Sequence, residues 1–133
     1  MLKSVFVLEA HACFRESLVC VLDWEPELRV IGQAGSLADQ HARTALDAAD
    51  AVLVGLGLPT TGDEVEMIRE VYEESSSPVA VLVLTISSDP VWHARFLEAG
   101  AERVLTKNAS LQEVVAAVLA LGLEPLAQPR LEA

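Results

Sequence analysis

Basic residues are scarce in this chain. Nine Lys and Arg stand against 20 Asp and Glu in 133 residues, a formal charge of −11. A surface that negative repels phosphate backbones, so direct nucleic-acid binding by this domain is not expected. Long apolar runs are missing too. Glu, Asp, Arg or Pro interrupts each one before it could span a bilayer. The N-terminal MLKSVFVLEAHACF has a short apolar run that Glu9 ends, where a signal peptide would need a longer one and a small-residue cleavage site, so none is expected. A cytoplasmic protein with no membrane contact is expected. Cysteine is limited to Cys13 and Cys20, seven residues apart in one expected helix. Two helical turns separate them by about 10 Å, too far for a disulfide. They lack the spacing and His partners of a zinc site, so they read as small apolar residues in a reducing compartment. No internal repeat or low-complexity tract is present.

What is present is a globular composition, 52% apolar and 22% charged, enough for one domain with one core. Two kinds of segment alternate. Short apolar runs at residues 4–8 (SVFVL), 28–34 (LRVIGQA), 51–54 (AVLV), 79–84 (VAVLVL) and 103–106 (RVLT) read as strands. Between and after them, residues 11–24, 36–48, 63–74, 89–99 and 110–121 carry helical spacing. Ser36, Asp89 and Ser110 suit N-caps, Pro90 a first helical position, and Gly100 a helix stop. Strands apolar on both faces imply a parallel sheet covered by helices on both sides. Right-handed crossovers make it a doubly wound α/β domain. Residues 1–122 form that domain. Residues 123–133, with two prolines and no period, read as a linker or tail.

In such a sheet, functional groups collect at the carboxyl ends of the strands. Those ends carry Glu9, Ala10 and His11; Gly55; Thr85; and Lys107. The set, together with Glu9-Ala10-His11-Ala12-Cys13-Phe14-Arg15-Glu16-Ser17-Leu18, Leu97-Glu98-Ala99-Gly100-Ala101 and Lys107-Asn108-Ala109-Ser110, resembles the receiver domain of two-component response regulators. The nearest match is the subfamily whose receivers precede a LuxR-type helix-turn-helix, where strand 1 runs into D-D-H-P-x-F-R-E-x-L. The resemblance runs from about residue 4 to 122. It implies a flavodoxin-like (βα)5 fold with strand order 2-1-3-4-5, and a helix-turn-helix output domain as partner in the full-length protein.

In that family, two acids after strand 1 and an aspartate after strand 3 bind Mg²⁺, and the aspartate accepts a phosphoryl group. Here only Glu9 keeps an acid. Ala10 replaces the second, and Gly55 stands at the acceptor position. A glycine offers no nucleophile, and one carboxylate is a poor magnesium site. The resemblance therefore implies a degenerate phosphorylation pocket of Glu9, Ala10, Gly55, Thr85 and Lys107, with no catalytic residue, metal or cofactor. The family's switch aromatic aligns with Val104. Lys107, with no aspartate to pair with, is expected to turn to Glu9, the alternative being solvent. Thr85 is read as a strand-end cap or a remnant of the switch.

Other chemistries are weaker. Gly55-Leu56-Gly57 follows a strand, but Thr60 stands where a dinucleotide loop needs its third glycine, and Pro59 intervenes. His11, His41 and His93 fall on separate helices. Glu70, Glu73 and Glu74 read as a solvated face. The last helix is apolar all round over VVAAVLAL, more than one sheet face requires. A partner chain could cover the surplus, or alanines are simply tolerated outside. Trp92, Phe96, Val114, Val115, Val118 and Leu121 are the candidates for a homodimer interface. The expected function is an atypical, non-enzymatic receiver of a transcription regulator, acting through dimerisation without phosphorylation. A ligand- or protein-sensing module and a standalone adaptor are the alternatives.

Overall fold

The computed structural model describes residues 2–57, 59 and 62–122. The tail expected as a linker lies outside them, as does Thr60. Five parallel strands, β1 (Lys3–Glu9), β2 (Leu28–Ala34), β3 (Ala51–Leu56), β4 (Ala80–Thr85) and β5 (Arg103–Thr106), form one sheet in the order β2-β1-β3-β4-β5. Five helices follow them in turn: α1 (Ala12–Asp23), α2 (Gln40–Asp47), α3 (Asp63–Glu74), α4 (Pro90–Glu98) and α5 (Leu111–Ala120). This is the flavodoxin-like order that the sequence implied.

Alternation along the strands divides the core in two. Phe6, Leu8, Val52, Val54, Val81 and Val83 face α2, α3 and α4, where Leu46, Ile68, Val71 and Phe96 meet them. Val5, Val7, Leu53, Leu82 and Leu84 face α1 and α5, against Leu18, Leu22, Val114 and Val118. No helix among the described residues is long and apolar enough to cross a membrane.

The caps behave largely as the sequence implies. Asp89 accepts from the Val91 N–H at 2.9 Å with Pro90 opening α4. Ser110 and Glu113 form a reciprocal capping box on α5. Two boundaries differ from expectation. Helix α2 starts at Gln40, not near Ser36. The Ser36 hydroxyl accepts from the Ala38 N–H at 3.3 Å and makes a local turn instead, while Leu37 tucks into the core and Asp39 stays extended as the N-cap. Strand β3 continues past Val54 to Leu56, because Gly55 pairs with Glu9 and Leu84, and Leu56 with Thr85.

Two polar ties close the ends of the sheet. Lys3, at the start of β1, donates to the carbonyls of Val118, Leu119 and Leu121 at 2.9, 2.8 and 2.6 Å. Those carbonyls lie at the C-terminus of α5, where a cation is favourable. Burial nevertheless holds the Lys3 ammonium below its ordinary pKa, with Glu102 and Asp50 opposing. The second tie is Tyr72 on α3, whose hydroxyl donates to the Gly100 carbonyl. Gly100 has φ +123°, and a Cβ there would lie 2.6 Å from the tyrosine ring. Glycine is thus required twice over, by backbone and by space.

Burial, and then the Glu102 charge, raise the Tyr72 pKa above its usual 10. The folded state therefore favours the protonated phenol. That contribution is fully present below the unfolded value and is lost as pH rises through the folded one. Tyr72 is the single tyrosine of the chain, so absorbance titration should read it alone and find a midpoint above 10. Tyr72→Phe should cost about 1 kcal/mol in denaturant unfolding at neutral pH. A tyrosine titrating at its ordinary value would contradict this packing.

Candidate functional site

The carboxyl ends of β1, β3, β4 and β5 meet at one edge of the sheet. Glu9 is the last residue of β1 and is 3% exposed. Its Oε1 accepts from Lys107 Nζ at 2.8 Å, and its Oε2 from the backbone N–H of His11 at 2.7 Å. Lys107 thus turns to Glu9, as expected, rather than to solvent. Three further contacts hold the pair. The Lys107 backbone N–H donates to Thr85 O at 2.8 Å, fixing the turn after β5. The ammonium lies 4.9 Å from the centre of the Phe14 ring. Arg15 donates from Nη1 to Glu9 O at 2.8 Å and from Nε to Gln33 at 3.0 Å, tying α1 to β1 and β2.

Gly55 pairs directly with Glu9 across β1 and β3. It contributes no side chain, and Ala10 contributes only a methyl. Thr85 is fully buried, and its hydroxyl accepts from the Ser87 N–H at 3.1 Å, the role of a strand-end cap. Ser87 continues the chain of bonds: its hydroxyl accepts from Asp89 N–H at 3.1 Å, and its carbonyl lies 2.7 Å from His93 Nε2. Val104 packs against the core beside α4. His11 is the N-cap of α1 and accepts from Phe14 N–H at 3.4 Å. The three histidines stay apart. Cys13 and Cys20 are free and exposed.

A cleft of about 400 Å³ opens beside the ion pair, lined by His11, Phe14, Gly57 and Ile86 as well as Glu9 and Lys107. The donor set suits a divalent cation poorly. Mg²⁺ needs oxygen ligands in octahedral array, and the one carboxylate has both oxygens engaged, one by an ammonium. Among the described residues no three His, Cys, Asp or Glu group as metal ligands do.

The proposed interface residues separate into two sets. Phe96, Val114, Val118 and Leu121 are buried in the chain's own core, which corrects their reading as surface. Trp92 is partly buried, stacked at 5.9 Å on Phe96 with Arg95 over its ring at 4.5 Å. Val115 lines a groove of about 320 Å³ between α1 and α5, with Val21, Trp24, Leu111, Ala116 and Leu119. Trp24 is 82% exposed. Sequence reasoning missed it, although its place three residues past Val21, at the C-terminal cap of α1, could have signalled it. Arg15, Phe14 and Lys3 were also missed as structural partners of the site and of α5.

A family model described as the response regulator receiver domain matches residues 5–119. The DNA-binding transcriptional activator DevR/DosR of Mycobacterium tuberculosis is 30% identical over 119 residues, covering 90% of this chain and 54% of that protein. Response regulator UvrY of Escherichia coli strain K12 is 28% identical over 115 residues, covering 86% and 52%. The solved signal receiver domain of the response regulator NarL from Mycobacterium tuberculosis matches with a TM-score of 0.72 at 26% identity, over 89% of this chain and 94% of that one. The chain spans about half the length of the full-length relatives it matches.

Removing Lys107 would leave the Glu9 carboxylate buried without its cation. Lys107→Met should therefore destabilise the domain by about 3 kcal/mol, read as a lower denaturant midpoint. Glu9→Gln, which keeps shape and hydrogen bonding, should cost less. Equal and small effects for both would mean that the pair is solvated in solution.

Proposed function

The chain belongs to the response regulator receiver family, and from that premise we propose that it is a degenerate receiver of a transcription regulator that works without phosphorylation. The observation that carries this reading is Gly55. Position 55 is the next-to-last residue of β3, opposite Glu9, where the family places its phosphoacceptor, and a glycine cannot accept a phosphoryl group. Ala10 and the doubly engaged carboxylate of Glu9 add to it, since they leave no site for the cation that assists the transfer. The domain is regulatory rather than enzymatic and works in the cytoplasm. A helix-turn-helix output domain follows α5 in the full-length protein, and this domain, at −11, does not itself touch DNA.

With no phosphoryl group to shift the balance between states, assembly is the output that remains. A homodimer would use the groove between α1 and α5, where Trp24 and Val115 leave apolar surface uncovered by the chain's own core. A second reading, a small-molecule sensor, is favoured by one observation. The cleft beside Glu9 and Lys107 has Phe14 in its wall and Ile86 55% exposed at its rim.

Intact-mass spectrometry after incubation with acetyl phosphate and Mg²⁺ should show no added phosphoryl mass. An adduct would return the domain to ordinary phosphotransfer. Sedimentation equilibrium at tens of micromolar should show a dimer that Trp24→Ala weakens at least tenfold, the effect of losing a buried aromatic anchor. A monomer there would turn attention to the cleft and its ligands.

A further inference from the structure

We propose that Glu9 and Gly55 act as one unit, in which Glu9 supplies from β1 the carboxylate that β3 lacks and so holds Lys107 in a permanent ion pair. This deepens the reading of the site given above, from a pocket that has lost its switch to one that is filled from within.

The argument begins with space. A Cβ built on Gly55 would overlap Glu9 Oε1 and lie 2.9 Å from the Glu9 carboxyl carbon and 3.3 Å from its Cβ. The glutamate side chain thus lies over the glycine, in the volume that any side chain at position 55 would take. The two residues are direct partners in the β1–β3 register, so the overlap is built into the sheet. Backbone conformation does not demand a glycine there. The glycines with positive φ are Gly62, Gly100 and Gly122, and Gly55 sits in a regular strand. Within a strand glycine is the costly choice, because it loses more conformational freedom on folding than alanine. What glycine gives at this position is room.

The carboxylate could swing aside if it were loose, but it is not. Lys107 Nζ and the His11 N–H hold its two oxygens, and the residue is almost fully buried. Moving it breaks the ion pair and strands a charge. The lysine is equally constrained by its backbone bond to Thr85 and by Phe14. The unit therefore joins β1, the start of α1 and the turn between β5 and α5 in one fixed arrangement. Positions 9 and 55 are coupled: a side chain is tolerated at 55 only when Glu9 is shortened.

The coupling predicts a change of sign. In the natural background, Gly55→Ala should lower the thermal midpoint by several degrees and raise amine-reagent labelling of Lys107 several-fold. In a Glu9→Ala background the same substitution should be neutral or stabilising, since alanine restricts the unfolded chain. If Gly55→Ala alone does not fold, recovery of folding in the Glu9→Ala/Gly55→Ala double variant carries the same conclusion, and failure to recover overturns it. Additive effects of the two substitutions, or unchanged Lys107 labelling in Gly55→Ala, would likewise overturn it. These readouts are independent of phosphotransfer. A phosphoryl adduct would defeat the proposed function without touching the coupling, and additivity would defeat the coupling without restoring an acceptor.

Discussion

A buried carboxylate without a counterion costs several kcal/mol, and this constraint organises the functional edge of the molecule. Glu9 lies at the end of the second strand in the sheet, with β2 on one side and β3 on the other, and solvent barely reaches it. Everything around it answers that burial. Lys107 is brought across from the far edge strand, the start of α1 presents an N–H, and Arg15 ties the backbone below. Set against a well-packed apolar substitute, such a pair adds little stability. Once present, it fixes the positions of every group that satisfies it.

The fold was legible because its signals were redundant. Runs such as VAVLVL cannot be an exposed face, and caps such as Asp89 with Pro90 mark their helix whatever the surroundings. Legibility failed where one residue could serve two local structures. Ser36 can cap a helix or close a turn, and the burial of Leu37 decided for the turn. Gly55 looked like a loop residue because glycine usually marks one, yet the ladder runs through it. At the site, the Lys107–Glu9 contact followed from charge alone. The overlap of Glu9 with the space above Gly55 did not, because it depends on strand register, which no local pattern reports.

The last helix shows how apolar composition can mislead about surface. Its sequence is apolar all round, but Val114, Ala117 and Val118 meet α1 and the sheet, and Leu111, Val115, Ala116 and Leu119 line the groove beside Trp24. The surplus is therefore narrower than the sequence suggested, and it is shared with α1. Its position also matters electrically. The acids of α3 lie on the opposite side of the sheet, where Glu66, Glu70 and Glu73 face water. Like charge opposes the approach of a second copy of a strongly acidic domain, and the groove between α1 and α5 carries a single acid, Glu25, in its lining.

A receiver that switches needs two arrangements of similar free energy, so that a modest chemical input can exchange their populations. The ion pair at Glu9 works against that balance. An arrangement of the β5–α5 turn that pulls Lys107 away leaves the carboxylate buried and alone, about 3 kcal/mol higher by the cost of breaking such pairs. At that cost the alternative is populated at under about 1%. On the proposed reading, no phosphoryl group at Gly55 makes up the difference. A carboxylate supplied from within the sheet resembles a switch held in one position. It keeps a negative group beside the lysine, while the cleft next to the pair stays open. On that proposal, what is left to regulate is what the fixed surface binds, at the groove between α1 and α5 or at the cleft beside the ion pair.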